Sequence, residues 1–193
     1  MIQKKMTFRI LGHLLLLLTA MMLICLIFPI IYGEDDLLAF AITAGITSAV
    51  GGLLMYLGRG ASRKLTRRNG YLIVSLAWII FSIFGMLPFY LSGYIPNITD
   101  AFFETMSGVS STGASILDNI EELPHGLVFW RSLTQWIGGL GIILFTIAVL
   151  PIFGFDGVQM FAAEAPGPLH DKVHPRIGVT ARWVWTLYTG RTV

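Results

Sequence analysis

Residues 110–115 read Ser-Ser-Thr-Gly-Ala-Ser, a run of small side chains in which hydroxyls flank a single glycine. The run holds no acid, base or thiol, so the chemistry open to it is ligation through oxygen, above all through its own backbone carbonyls. Cations accept such ligands, because several carbonyl oxygens aimed at one point replace the hydration shell of an ion. Gly113 is placed to help aim them, since glycine adopts the positive φ that turns adjacent carbonyls toward one axis. Just before the run, Asp100-Ala101-Phe102-Phe103-Glu104-Thr105-Met106-Ser107-Gly108 predicts a short helix. Thr99 serves as its N-cap, Phe102, Phe103, Met106 and Val109 lie on roughly one face, and Gly108 stands near the C-terminal end. The negative end of that helix dipole points at the run, which favours a cation over an anion.

The elements that must position these residues follow from composition. The 193 residues are 55% hydrophobic and only 12% charged, with a mean hydropathy of +0.74, against roughly 45–50% apolar and 25% charged in globular chains. This is a membrane composition. It excludes a disulfide scaffold, because Cys25 is the single cysteine, and it excludes disorder, because charge is too scarce. A net charge of +2 is too small for a nucleic-acid partner. No nucleophile-elbow or phosphate-loop motif is present, so the reading is not that of an enzyme.

Four stretches can cross a bilayer, whose roughly 30 Å hydrocarbon core needs about 20 helical residues. The first is the uncharged run between Arg9 and Glu34, which ends in Phe28-Pro29-Ile30-Ile31-Tyr32 instead of the small residues of a signal-peptide cleavage site. The second, Leu37 to Gly58, carries Gly45, Gly51 and Gly52, which predict close helix packing. The third runs from Tyr71 to about Leu91 and the fourth from Ser132 to Phe155. Lys4, Lys5 and Arg9 precede the first span, and Arg59, Arg63, Lys64, Arg67 and Arg68 link the second to the third, which places both segments in the cytoplasm. Glu34, Asp35 and Asp36, and then Asp100, Glu104, Asp118, Glu121 and Glu122, fall on the opposite side. The tail, with Lys172, Arg176, Arg182 and Arg191 beside Asp156, Glu164 and Asp171, returns to the cytoplasm.

Residues 92–126 therefore join two outward ends and must cross an even number of times or not at all. A helix of nine or ten residues reaches about 15 Å, half the hydrocarbon core, so one that enters must turn back. Irregular backbone at membrane depth survives only where protein buries it or water and ions line it. A pore loop meets that condition. The alternative is an interfacial helix followed by a Ser/Thr turn outside the membrane.

The ordered series Asp100 to Gly108 and Ser111-Thr112-Gly113-Ala114-Ser115, followed by Phe129-Trp130-Arg131-Ser132-Leu133-Thr134-Gln135-Trp136-Ile137-Gly138-Gly139-Leu140-Gly141-Ile142-Ile143, closely resembles the first pore unit of Trk-type potassium-uptake membrane subunits, within the Trk/Ktr/HKT superfamily. Ala148-Val149-Leu150-Pro151 and Ala163 to Pro168 with Pro175-Arg176-Ile177 extend the likeness to nearly the whole chain. The resemblance implies an all-α integral membrane fold in which four units, each of membrane helix, pore loop and membrane helix, surround one potassium pathway. This chain would supply the N-terminal portion: a helical pair and basic link at 1–69, a first pore unit at 70–155, a cytoplasmic link at 156–178, and the start of a further helix at 179–193. Ser110, Ser111, Thr112, Gly113 and Ala114 would line the selectivity filter mainly through backbone oxygens, with K⁺ at Ser111, Thr112 and Gly113 and the hydroxyls of Ser111 and Thr112 in a lesser part. The ion is the only cofactor implied. The resemblance further implies a bacterial inner-membrane location with a cytoplasmic N-terminus, contact with lipid, a cytosolic nucleotide-binding regulatory subunit, and a homodimer of the full-length chain. The regulatory partner would meet the inward face near Arg59 to Arg68 and 156–178. One filter strand cannot encircle an ion, and Arg191 interrupts the last apolar stretch. Rival expectations are thus a non-conducting truncated piece that acts in assembly, or a secondary transporter with a broken helix at 100–115.

Several further residues carry two readings each. Gly138, Gly139 and Gly141 serve close packing or a gating hinge. Arg131 snorkels or caps an acid such as Asp118, or else sets the charge of a pore mouth. His170 and His174 have ligand spacing but lie between Pro168 and Pro175, with no third ligand nearby. Asn97-Ile98-Thr99 is a glycosylation acceptor pattern if the host glycosylates.

Overall fold

The computed structural model describes residues 4–60, 67–149 and 186–190. The cytoplasmic link at 156–178, His170 and His174, Arg63 and Lys64, Leu150-Pro151 and most of the 179–193 segment lie outside the described residues. The chain forms two compact units, residues 1–138 and 139–193. In the first, α1 (Lys4–Cys25), α2 (Ile27–Tyr32), α3 (Leu37–Leu57), α4 (Arg67–Gly85), α5 (Leu87–Leu91) and α6 (Ile98–Val109) lead through a 3₁₀ turn (Ile120–Glu122) to α7 (His125–Val149), which runs into the second unit. Of the second unit, the described parts are the end of α7 and a helical stretch at 186–190. No strand occurs among the described residues.

Lys4–Tyr32, Leu37–Leu57 and Leu72–Leu91 are long and apolar enough to span a membrane, and they coincide with the first three expected spans. The first and third are each interrupted near a proline. Pro29 cannot donate to the Cys25 carbonyl, nor Pro88 to that of Phe84, so α1 breaks at Leu26 and α4 at Met86 and each resumes as a short helix.

Helices α1 and α3 run antiparallel, and glycines set how closely they approach. A Cβ on Gly12 would stand 2.8 Å from the Gly51 carbonyl oxygen, and one on Gly58 would stand 2.6 Å from the Arg9 nitrogen. Gly51 thus packs as expected, whereas Gly45 and Gly52 face open space and take no part. One apolar cluster joins Leu15, Leu18 and Met22 of α1, Phe40 of α3, Phe89 of α5, Ala101 of α6, and Leu127 and Trp130 of α7. Trp130 is fully buried, and its indole N–H donates to the Gly85 carbonyl over 2.9 Å, at the break between α4 and α5. Its ring meets Phe40 edge-on at 6.3 Å. Large apolar residues that remain outside, such as Ile30, Ile31, Leu38 and Leu53, suit a lipid surround.

The link between α2 and α3 is tied to the start of α7. Glu34 accepts the backbone N–H of His125 at 2.9 Å and pairs with its Nδ1 at 2.6 Å, while the Tyr32 ring stacks on that imidazole at 4.1 Å. Asp36 is wholly buried beside them, and neither of its carboxyl oxygens finds a hydrogen-bond partner. Burial raises its carboxyl pKa, with Glu34 and Asp35 adding to the rise while its own nearby backbone N–H and His125 oppose it.

Candidate functional site

Helix α6 has 12 residues, about 18 Å at the usual rise. Its N-cap is Asn97 and not Thr99: the Asn97 side chain accepts the Thr99 N–H at 3.0 Å from an extended backbone. An Asx side chain reaches the amide two residues on, which leaves Thr99 inside the first turn. The buried face is Ala101, Glu104, Thr105, Gly108 and Val109, while Phe103 is 45% exposed. Of the bulky apolar residues expected on one face, Val109 is buried, Phe102 and Met106 are half-buried, the Met106 sulfur accepting from the Ser82 hydroxyl at 3.0 Å, and Phe103 is turned outward.

Gly108 does not end the helix. It lies inside α6, where a Cβ would stand 2.7 Å from the Thr134 hydroxyl of α7. Termination falls to Ser111, which adopts the left-handed conformation at φ +56°. Its amide bonds the Gly108 carbonyl at 2.9 Å and the Thr112 amide bonds the Ser107 carbonyl at 3.0 Å, the paired 5→2 and 6→1 pattern that closes a helix. Glycine usually holds that position, and an L-residue there costs roughly 1–2 kcal/mol. The Ser111 hydroxyl donates to the Gln135 carbonyl of α7 at 3.2 Å. Two residues on, Gly113 has φ +75°, the positive φ expected of it, and its Cβ position is 3.4 Å from the side-chain Nε2 of Gln135.

The run 110–114 thus forms one tight reversal at the end of α6. Thr112, Gly113 and Ala114 are exposed and Ser110 and Ser111 partly so. The Ser110 and Thr112 hydroxyls share a 2.8 Å hydrogen bond. Ser107 donates to the Ala114 carbonyl at 2.6 Å, so Ala114 keeps only the second lone pair of that oxygen for an ion.

Glu104 holds the returning chain, a role sequence reasoning missed. Its side chain is 1% exposed and accepts from the Ser115 hydroxyl at 3.1 Å, the Ile116 amide at 3.1 Å and Arg131 Nε at 2.5 Å. Arg131 therefore pairs with Glu104 and not with Asp118. The signal was available: an acid on the helix of a re-entrant loop demands a partner, and Arg131 is the cation that follows it most nearly in sequence. Two turns further along α7, a Cβ on Gly138 would collide with the Val109 carbonyl. For Gly138 this is close packing; Gly139 and Gly141 belong to the second unit.

A 12-residue helix thus ends on an oxygen-rich reversal that a buried ion pair holds in place, and comparison with known proteins supplies the family. The model of the family described as TrkH, cation transport protein, matches residues 37–193. The chain belongs to this family. It is 43% identical over 188 residues to the Trk system potassium uptake protein TrkH of Escherichia coli K12, covering 96% of this chain and 39% of that protein. It is 37% identical to the TrkH of Halomonas elongata, covering 98% of this chain and 40% of the relative. The crystal structure of the potassium transporter TrkH from Vibrio parahaemolyticus superposes with a TM-score of 0.80 at 33% identity, over 97% of this chain and 37% of that one. The chain spans about two fifths of the length of these relatives. As a TrkH-family member it is an all-α integral membrane protein, and its α1–α2 stretch precedes the matched region.

Proposed function

We propose that this chain contributes one of four filter segments to a potassium-uptake pathway. The observation that carries the reading is the reversal at 110–114, where two left-handed residues, Ser111 and Gly113, follow the C-terminus of a 12-residue helix. Left-handed residues alternating with ordinary ones rotate successive peptide planes, and the helix end adds a partial negative charge of about half an electron. K⁺ would exchange its hydration shell for carbonyl oxygens of Ser110, Ser111, Thr112 and Gly113, with Ala114 at the margin, and no bond is made or broken. The names of the relatives support potassium as the ion. On this reading 1–69 is a helical pair and link, 70–155 the first pore unit, 156–178 a cytoplasmic link, and 179–193 the start of the next helix. The basic residues at positions 4–9 and 59–68 support an N-terminus on the inner side, and the bacterial relatives support the inner membrane as the location. A cytosolic nucleotide-binding subunit and a homodimer of the full-length product complete the assembly.

The test is Gly113→Ser in the full gene product that contains this chain, read as Rb⁺ uptake against competing Na⁺ in cells lacking other potassium uptake. A Cβ at positive φ costs roughly 1–2 kcal/mol, and about 1.4 kcal/mol is tenfold in an equilibrium constant. The preference for K⁺ should fall by about that factor. The 193-residue chain alone should not restore growth in low potassium. Unchanged selectivity in the variant removes Gly113 from the filter, and rescue by the chain alone overturns the one-of-four reading.

A further inference from the structure

Ser111 holds the position that glycine usually fills at the end of a helix, and does so in a left-handed conformation. Such conformations persist where surrounding contacts over-determine them. Here the contact is visible. The Ser111 hydroxyl donates to the Gln135 carbonyl 24 residues away in sequence, so the side chain is turned to α7. Gln135 also borders the second left-handed residue, because its side-chain Nε2 lies 3.4 Å from the Cβ position of Gly113. One residue of α7 thus flanks both points at which the reversal turns, and Gly138 brings that stretch of helix against the end of α6.

We propose that Ser111 is a positioning residue: its hydroxyl latches the 110–114 reversal to the Gln135 carbonyl and fixes the carbonyl directions, and only its backbone oxygen serves the ion. This rests on the filter reading above but assigns the Ser111 side chain differently from direct ligation. A glycine would keep the backbone conformation and relieve its strain, yet break the latch. An alanine would keep the strain and break the latch. The pair therefore separates the hydroxyl from the backbone.

The experiment uses the full gene product with Ser111→Gly, Ser111→Ala and, for control, Gly113→Ser. Hydrogen exchange across 107–117 is followed in K⁺-free choline buffer, and Rb⁺ uptake is measured against Na⁺. Ser111→Ala should exchange about fivefold faster without K⁺, which is about 1 kcal/mol and the worth of one neutral hydrogen bond; Ser111→Gly, which also sheds the strain, should exchange more slowly than Ser111→Ala, and both should lose selectivity by about fivefold. The Gly variant, whose backbone is unstrained, guards against a result that reflects misfolding. Unchanged exchange of Ser111→Ala without K⁺ overturns the latch, and if its selectivity still falls then the hydroxyl meets the ion directly. Faster exchange with intact selectivity, while Gly113→Ser loses it, overturns the positioning role and leaves the filter standing. Faster exchange with all three variants fully selective overturns both.

Discussion

Replacing Arg131 with methionine tests how the returning chain is held. Glu104 is 1% exposed and Arg131 17% exposed, so the two ends of the pair are not equivalent. Arg131→Met leaves a carboxylate with the Ser115 hydroxyl and Ile116 amide but with no cation, in a site closed to water. Breaking a buried pair in this way costs about 3–5 kcal/mol. Glu104→Gln leaves the guanidinium with a partial route to solvent and keeps a side-chain carbonyl that can accept from Ser115 and Ile116, so its cost should be about 1–3 kcal/mol. The double variant Glu104→Gln/Arg131→Met removes both charges and should recover most of the loss, since a neutral, well-packed replacement of a buried pair is often no worse than the pair. Reversible unfolding in mixed micelles gives all three free energies, and Rb⁺ uptake reports whether the reversal at 110–114 keeps its shape. A double variant no more stable than Arg131→Met alone, or an Arg131→Met variant within about 0.5 kcal/mol of the parent, would refute the reasoning, because the pair would then carry no coupling.

Asp36 lies between two spans, and its raised pKa fixes the sign of a pH effect. The unfolded carboxyl ionises near its ordinary value of 3.8 and the folded one only at higher pH, so between the two the folded state binds more protons and stability falls as pH rises. Asp36→Asn should remove that slope and raise stability at neutral pH, checked by melting the parent and variant from pH 4 to 8; a steeper slope in the variant would contradict the burial argument. Gly138→Ala should destabilise by about 1–3 kcal/mol through collision with the Val109 carbonyl, whereas Gly45→Ala, with open space around it, should be neutral or stabilising by up to about 1 kcal/mol. Equal effects of the two in the same unfolding assay would show that approach distance does not decide which glycines matter.

Much of the fold was legible because a bilayer restricts what a sequence can mean. The uncharged runs give the first three spans to within a few residues, and parity singles out 92–126 as a segment expected to cross an even number of times or not at all. The site was legible in its backbone: Gly113 was expected at positive φ and is found there. What was not legible depended on contacts between elements distant in sequence. The Glu104–Arg131 pair, the Ser111–Gln135 bond and the fit of Gly138 to Val109 join residues 24 to 29 positions apart, and periodicity holds no record of them. Ser111 defeated a local rule outright, since helix-end propensity favours glycine and the hydroxyl bond that supports a serine reaches another helix. The same limit explains Gly45 and Gly52: a glycine in a span signals close approach only if a neighbour lies on that side.

The tie between Glu34 and His125 joins positions 91 residues apart, and this separation orders events during synthesis. Helices α1 to α3 can enter the membrane and pack on their glycines while the chain beyond them is still unmade. During that interval Glu34 has no partner and Asp36 no cover from α7, so the Asp36 carboxyl stands in water, where ionisation is free of the burial that later opposes it. Only when His125 and Gly126 arrive does the loop close over them. The N-terminal helices are thus built first and sealed last, and a nascent chain that stalls before α7 is marked by an unpaired Glu34 and an uncovered Asp36, of which the finished protein pairs the first and buries the second.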